Sequence, residues 1–306
     1  MQKTGGKPLL EALEKHWRQY RKRLHACRQS ANEDNVHELR VSTRRLLALI
    51  ELLHVLGPQP TLLSIRKALK KQLDGFDELR DTQVMLFEAA KTLPILPELE
   101  PFLAHMHRCE QQLLKENQSF IASLYQPKLR RKLKKAGKRF KIQTADIDLQ
   151  LALPTAIDQI YAAALSRYQE LDPANLASIH HLRIAVKKWR YSLLAIQFTD
   201  SALAKIELNP LKNYLTRMGD IQNSVVMLQT LELFFQHQIP TEIERHYQRQ
   251  QQVLIDSFMK CCSEILEFRQ KTGNERNIAF ESAPDNAKQS ESNKPYQPNN
   301  NRTLEP

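Results

Sequence analysis

Two blocks of this sequence occur twice, in the same order and at nearly the same separation. Residues 36–50 read VHELRVSTRRLLALI and align without a gap with residues 179–193, IHHLRIAVKKWRYSL. Residues 69–86 read LKKQLDGFDELRDTQVML and align in the same way with residues 211–228, LKNYLTRMGDIQNSVVML. One such match between amphipathic segments could arise by chance, but two at a common offset indicate an internal duplication. We therefore expect a chain built from two related halves.

The spacing of apolar residues predicts that both halves are helical. Only 7 of the 306 residues are glycine, and no alternating apolar and polar stretch is long enough for a sheet strand. The predicted helices cover residues 8–30, 36–56, 61–91, 98–124, 128–140, 153–171, 179–199, 205–237 and 240–269. The predicted fold is all-α, with two antiparallel helical bundles related by a pseudo-twofold axis.

Domain boundaries follow from the repeat. We assign residues 1–142 to the first helical repeat and residues 143–270 to the second, which together form one domain. Residues 271–306 contain almost no large apolar side chains, and we expect a disordered tail there.

The positive charge is concentrated in the first repeat. The chain has a net charge of +11; residues 1–142 hold 28 Lys or Arg against 15 Asp or Glu, whereas residues 143–270 hold 12 against 14. Such a surplus points to a polyanionic partner, and composition alone does not choose among nucleic acid, anionic lipid and a phosphate polymer.

Several classes of protein are disfavoured by what the sequence lacks. No apolar stretch is long enough to span a bilayer and the N-terminus has no signal-peptide core, so we expect a cytoplasmic protein without membrane association. The four cysteines form no C-x-x-C pair, and we expect neither a disulfide framework nor a metal site. The sequence suggests no cofactor.

On a helical wheel, the first repeated block separates into an apolar face and a basic stripe. His37, Arg40, Arg44 and Arg45 lie opposite the side that carries Leu39, Leu46, Ile50 and Leu53. The second block repeats this stripe and adds one further arginine: His180, Arg183, Lys187, Lys188 and Arg190. Solvated helices usually mix charges of both signs, so an unmixed stripe found twice favours an anion-binding surface.

The expected helix starts strengthen that interpretation. Asn35 and Ser178 occupy equivalent positions and are good N-cap residues, which would place His37 and His180 in the first helical turn. Backbone N–H groups without helical partners and the positive end of the helix dipole would then favour anions beside each histidine.

Three further basic residues are secondary candidates for the same surface. Lys70 and Lys212 are equivalent in the repeat, and Arg80 either contacts the anion or pairs locally with Asp77. Residues 128–141 add nine basic residues and no acidic one. We expect them to form a docked helix whose outer face either widens the polyanion surface or keeps the protein soluble.

These motifs resemble a known family. His37-x-x-Arg40-Val41-x-x-Arg44-Arg45 and His180-x-Leu182-Arg183-Ile184-x-x-Lys187-Lys188 are similar to the paired signatures of CHAD domains, which are internally duplicated helical modules. The resemblance covers about residues 8–269. It implies basic residues that line a central groove or pore and bind inorganic polyphosphate without catalysis. Association with polyphosphate granules is left open. The chain departs from the family pattern at Asp77, where the family usually has glycine.

Two other functions are weighed against polyphosphate binding. A histidine phosphocarrier or phosphatase would use His37 or His180 as a transiently phosphorylated nucleophile. Such proteins typically place small residues beside the histidine, whereas Val41 and Ile184 follow one turn later here. Nucleic-acid binding is the third candidate, but aromatic residues do not alternate with the basic ones as stacking requires. We expect a binding protein that is not an enzyme.

Overall fold

The computed structural model describes residues 6–124, 126–196 and 208–269, and all regular elements within these ranges are helical. The α-helices are α1 (Lys7–Gln29), α2 (Glu33–Leu56), α3 (Pro60–Asp74), α4 (Asp77–Thr92), α5 (Glu100–Ser123), α6 (Gln126–Gln143), α7 (Leu149–Gln169), α8 (Leu176–Ile196), α9 (Leu208–Phe234) and α10 (Thr241–Met259). Two 3₁₀ segments, Pro97–Leu99 and Cys262–Leu266, precede α5 and follow α10. The all-α prediction is confirmed. The tail predicted for residues 271–306 lies outside the described residues.

The helices that carry the basic stripes start three residues earlier than expected. Asn32 caps α2, and its side chain accepts a hydrogen bond of 2.9 Å from the backbone N–H of Asn35. At the start of α8, the Asn175 side chain accepts from the backbone N–H of Ala177 at 3.2 Å. Asn35 and Ser178 therefore lie inside the helices, and the prediction that they are N-caps is wrong.

This shift removes one argument for anion binding. His37 and His180 are each the fifth residue of their helix. Only the first four N–H groups of a helix lack intrahelical partners, so neither histidine lies beside free backbone donors. Any attraction for anions at these helices has to come from the side chains.

The helix predicted over residues 61–91 is split into α3 and α4 by a turn at Gly75 and Phe76. Phe76 is buried and packs edge-to-face on Phe120 of α5, with ring centroids 5.4 Å apart. A Cβ at Gly75 would lie 2.7 Å from the Phe120 ring, so only glycine fits at this position. In the aligned second block, α9 continues through Arg217 and Met218 without a break.

Two other boundaries differ from the prediction. The helix predicted over residues 153–171 begins earlier, at Leu149 after the capping residue Asp148, so Pro154 lies inside α7. The helix predicted over residues 240–269 ends at Met259 and is followed by the 3₁₀ segment. A missing N–H at one proline costs a single helical hydrogen bond, and the apolar face of α7 carries Ile157, Ile160 and Ala164 into the core.

The apolar faces predicted for the repeated helices form the centre of the core. In α2 the side chains of Leu39, Leu46, Ile50 and Leu53 are at most 1% exposed. In α8 the matching residues are at most 2% exposed: Leu182, Trp189, Leu193 and Ile196. These residues belong to one large cluster, and a smaller one joins α4 and α5 to α9 and α10. The predicted apolar faces of α2 and α8 are confirmed.

The helices of the two predicted repeats pack directly on each other. α2 contacts α1, α3 and α8, and α9 contacts α8, α10 and α4. All described helices belong to one compact unit. The stripe-bearing helices α2 and α8 are therefore neighbours, and the second pair of repeated segments lies against them. The duplication and the division at residue 142 stay predictions from the sequence.

No helix within the described ranges is both long enough and apolar enough to cross a bilayer.

Candidate functional site

Five basic side chains from α2, α4 and α8 lie close together, and the charges of two of them act on the other three. We call Arg40, Arg44, Arg80, Arg183 and Lys187 the cationic cluster. Burial lowers the pKa of Arg183, and the charges of Arg80 and Arg44 lower it further. Burial also lowers the pKa of Arg40, again with a contribution from Arg44. The cluster forms because the packing of α2 on α8 brings together charges that are about 140 residues apart in sequence.

Lys187 is the most strongly perturbed member of the cationic cluster. Its side chain is half-buried, and burial together with the charges of Arg44, Arg183 and Arg80 lowers its pKa from 10.5 to about 6. Asp77 opposes this shift only weakly, as the last of the contributing charges. At neutral pH the free protein therefore holds this amine largely uncharged, and an anion beside it would favour its protonated form.

Three members of the cluster lack a direct ion pair with any described residue, although the charges of Asp81 and Asp220 act on Arg183 from a longer distance. Within the described ranges, Arg44, Arg183 and Lys187 form no ion pair within 4.0 Å. Buried or half-buried cations normally have an acidic partner. Arg44 and Arg183 therefore carry positive charge without an ion pair among the described residues, and Lys187 can add a further charge when an anion binds beside it, which is the arrangement expected of an anion-binding site.

Arg40 is the exception, because it is neutralised within the protein. Its side chain is 4% exposed; Nη2 lies 2.7 Å from Asp77 Oδ1, and Nη1 donates to the backbone carbonyl of Leu73 at 3.3 Å. The local Arg80–Asp77 pair considered from the sequence does not form. Arg80 instead contacts Asp81 at 3.3 Å, and both side chains are about 40% exposed.

Arg183 lies against a glycine. A Cβ built on Gly219 of α9 would be 3.4 Å from Arg183 Nη2 and 3.6 Å from Nε. The Nε atom of Arg183 is buried and has no hydrogen-bond partner. The guanidinium thus lies where a larger side chain at position 219 would extend. Its Nε–H is a hydrogen-bond donor that no described acceptor uses.

The two repeat histidines have different surroundings. His180 is half-buried next to Arg183 and Lys187, and its Nδ1–H donates to Gln222 Oε1 at 2.6 Å. Burial lowers its pKa, the Gln222 hydrogen bond raises it, and the two neighbouring cations lower it again. His37 is exposed. Gln222 therefore orients His180, a role that the sequence did not suggest.

The other predicted site residues are not brought into the cationic cluster by any contact that the structure describes. Arg45 is exposed and its charge lowers the pKa of His16 on α1. Arg190 lies 5.7 Å from the ring centre of Tyr191. Exposed side chains make up the remainder: Lys70, Lys188 and Lys212. The cationic cluster thus contains the basic residues one and two turns after each repeat histidine, and Arg80: Arg40, Arg44, Arg183, Lys187 and Arg80.

The basic segment predicted over residues 128–141 forms α6, which packs on α3. Leu133, Ala136 and Phe140 are buried as expected, and Lys132 Nζ donates to Ser64 Oγ at 2.5 Å. Its other basic side chains are exposed.

The cysteines Cys27, Cys109, Cys261 and Cys262 are free thiols. No group of three or more metal-ligating His, Cys, Asp or Glu side chains occurs in the described ranges.

Comparison with known proteins agrees with this fold. The family model of the CHAD domain matches residues 11–232. The chain belongs to the CHAD domain family. A crystal structure of the CHAD domain from the plant Ricinus communis is similar to this protein, with a TM-score of 0.61 at 19% sequence identity. The match covers 87% of this chain and 91% of that one. Among curated proteins, none matches this sequence. Membership of the CHAD family confirms the resemblance found in the sequence, and the similarity of structure supports the CHAD fold.

Proposed function

We propose that this protein binds inorganic polyphosphate without catalysing a reaction on it, through the cationic cluster between α2, α4 and α8. One observation carries the proposal: Arg44, Arg183 and Lys187 share one site and, in the described part of the chain, have no acidic partner within ion-pair distance. An unpaired cluster of this kind is costly for the folded protein, and a bound anion would remove that cost.

The chemistry of the cluster favours phosphate groups over other anions. Guanidinium groups donate two parallel hydrogen bonds to phosphate oxygens, and the cluster contains four arginines from three helices. A linear polyphosphate offers a negative charge at every phosphate, so one chain can satisfy several of these donors in turn. We further propose that the stripes of α2 and α8 line a shared basic groove, as the CHAD resemblance implies.

Polyphosphate affinity should depend steeply on salt, because binding releases the counterions condensed on the polymer. If Arg44, Arg80, Arg183 and Lys187 each neutralise one phosphate, the slope of log K against log salt is about −3, by analogy with single-stranded nucleic acids. Affinity then falls roughly 60-fold between about 50 and 200 mM salt. Binding isotherms with polyphosphate of defined length, measured across this range, test the expectation. An affinity that does not change with salt contradicts the electrostatic mechanism.

Two experiments distinguish polyphosphate binding from nucleic-acid binding and from phosphocarrier activity. Single-stranded or double-stranded DNA, added at matched phosphate concentration, should displace polyphosphate poorly, since Trp189 of the stripe helix is fully buried and offers no stacking surface. Displacement at equal concentration would favour nucleic-acid binding. Acid-labile phosphohistidine after incubation with a phosphodonor would instead favour a phosphocarrier that uses His180 or His37.

Binding should also take up a proton. In the free protein Lys187 has a pKa of about 6, so it is almost entirely neutral at pH 8. Phosphate oxygens beside the amine favour its charged form and raise its pKa towards the ordinary value. We expect an uptake approaching one proton per bound site at pH 8, measured by calorimetry in buffers of different ionisation enthalpy. The Lys187→Met variant should show no such uptake; an equal uptake in the variant would assign the proton to another group.

A further inference from the structure

The two aligned arginines of the cationic cluster have different partners in the fold. Arg40 in α2 and Arg183 in α8 occupy equivalent positions in the repeated block, and so do Asp77 and Gly219 in the second block. Arg40 contacts Asp77, whereas Arg183 lies over Gly219. The equivalent positions therefore hold an ion pair in one half and, in the other, a guanidinium with no carboxylate of the described residues within 4.0 Å.

The Arg40–Asp77 pair is well formed. The 2.7 Å contact joins Nη2 to a carboxylate oxygen, and the Leu73 carbonyl occupies Nη1 on the other side. The arginine is almost completely buried, while the Asp77 side chain is 53% exposed. A charge-assisted hydrogen bond of this length is among the stronger polar contacts in proteins. Arg40 is thus satisfied without any ligand.

Arg183 has no equivalent partner. Its buried Nε atom lacks an acceptor, and no carboxylate of the described residues lies within 4.0 Å of its guanidinium. Lys187, one turn further along α8, is also without an ion pair in the described ranges. Together with Arg44 of α2, these two residues form the part of the cluster that has no ion pair with a described residue before an anion binds.

We propose that Asp77 is a built-in counter-anion, which competes with bound phosphate for Arg40 and so leaves Arg183 and Lys187 to hold the most tightly bound phosphate group. This inference rests on the proposed polyphosphate-binding function. It assigns unequal roles to the two halves of the site: the α8 side anchors the polymer, and the α2 side contributes mainly through Arg44 while Arg40 stays occupied by Asp77.

The direct test removes the charge of Asp77 and keeps its shape. Asp77→Asn retains an oxygen that can accept from Arg40 but no longer neutralises it, so polyphosphate affinity should rise about threefold to tenfold. The slope of log K against log salt should become steeper by up to about 0.7, because one more cation contributes. Glu78→Gln is the matched control, since it removes the same charge from the next residue of α4, which is exposed. That control should change affinity less than about twofold.

The reciprocal variant places a carboxylate on the other half. Gly219→Asp introduces a side chain whose nearest neighbour is the guanidinium of Arg183, and it should lower polyphosphate affinity about tenfold by pairing with that arginine. Gly219→Asn fills the same space without charge and should lower affinity much less. Thermal unfolding of each variant shows whether Asp77→Asn destabilises the fold through the buried Arg40. If it does, the two Gly219 variants still test the inference.

The outcomes separate the two claims. If the unmodified protein does not bind polyphosphate, the proposed function is wrong and this inference fails with it. If the unmodified protein binds but Asp77→Asn has unchanged or weaker affinity while remaining folded, only the role of Asp77 is wrong. If Asp77→Asn and Glu78→Gln raise polyphosphate affinity equally, Asp77 acts only through the net charge of the protein, and the inference is overturned. Equal losses in Gly219→Asp and Gly219→Asn would overturn the anchoring role of Arg183.

Discussion

The combined substitution of Arg44, Arg183 and Lys187 by glutamine is expected to lower polyphosphate affinity about 100- to 1000-fold at low salt. Each charge-assisted contact to a phosphate is worth about 1 to 1.5 kcal/mol, and three are lost together. The slope of log K against log salt should flatten from about −3 to about −1 in the same variant. Isothermal titration with polyphosphate of defined length, at several salt concentrations, measures both quantities.

The α6 helix supplies a matched control for that experiment. Lys134, Lys138 and Arg139 are exposed, and their substitution by glutamine removes the same amount of positive charge from a helix that packs on α3. If the cationic cluster is the binding site, this control should weaken binding less than about fivefold, because only the long-range field changes. Equal losses in the two variants would contradict the assignment and place the polymer on a broader basic surface that includes α6.

The substitution Lys187→Met is expected to stabilise the free protein at neutral pH. Folding lowers the pKa of Lys187 from 10.5 to about 6, so the folded state binds fewer protons than the unfolded state between these two values. The penalty from this group is therefore complete below pH 6 and disappears as the pH rises towards 10.5. Allowing for its partial exposure, we expect a gain of about 1 to 2 kcal/mol at pH 7, or roughly 2 to 6 °C in Tm.

The pH dependence distinguishes this effect from better packing. The gain from Lys187→Met should be larger at pH 6.5 than at pH 9.5, because between these pH values the unfolded chain keeps a proton that the folded protein has released, so the penalty falls as the pH rises. Lys188→Met, at the exposed neighbouring position, should change Tm by less than about 1 °C. A gain from Lys187→Met that is the same at both pH values would show that apolar contact, not relief of a strained charge, stabilises the variant.

Helical periodicity alone was sufficient to place the core side chains of the stripe helices. Leu39, Leu46 and Ile50 recur at spacings of seven and four residues, and the same pattern around Leu182 and Trp189 predicts the buried face of α8. Once those faces are known to be buried, the position of the basic residues on the opposite face of each helix is also fixed. The prediction that Arg40, Arg44, Arg183 and Lys187 lie on comparable faces therefore needed no tertiary information.

Local signals were less decisive at the helix ends. Asn32 and Asn35 both have side chains suited to capping, and the sequence does not show which one starts the helix; the same ambiguity holds for Asn175 and Ser178. The break at Gly75 depends on Phe76 packing against Phe120, a contact between residues 44 positions apart. The turn at Gly75 thus depends on a tertiary contact, which a local pattern cannot reveal.

The pairing of charges was likewise beyond the sequence. Asp77 is three residues from Arg80, and a local pair is the natural expectation for that spacing. The fold instead turns Asp77 towards Arg40, 37 residues away, and Arg80 towards its neighbour Asp81. Gln222 gave no signal as a partner of His180, because a glutamine in a helix carries no distinctive spacing. Which cations are neutralised and which are left unpaired emerges only from the assembled structure.

The packing of α2 on α8 links the stability of the folded protein to the proposed binding of polyphosphate. The cations that gather there come from distant parts of the chain, so neither half on its own presents the complete set. Repulsion among these like charges opposes the packing, and a polyanion offsets that repulsion only after α2 and α8 have met. By mass action, such a ligand reinforces the native association of the two halves in proportion to its concentration. Bound polyphosphate should therefore stabilise the packing of α2 on α8 as well as occupy the cationic cluster.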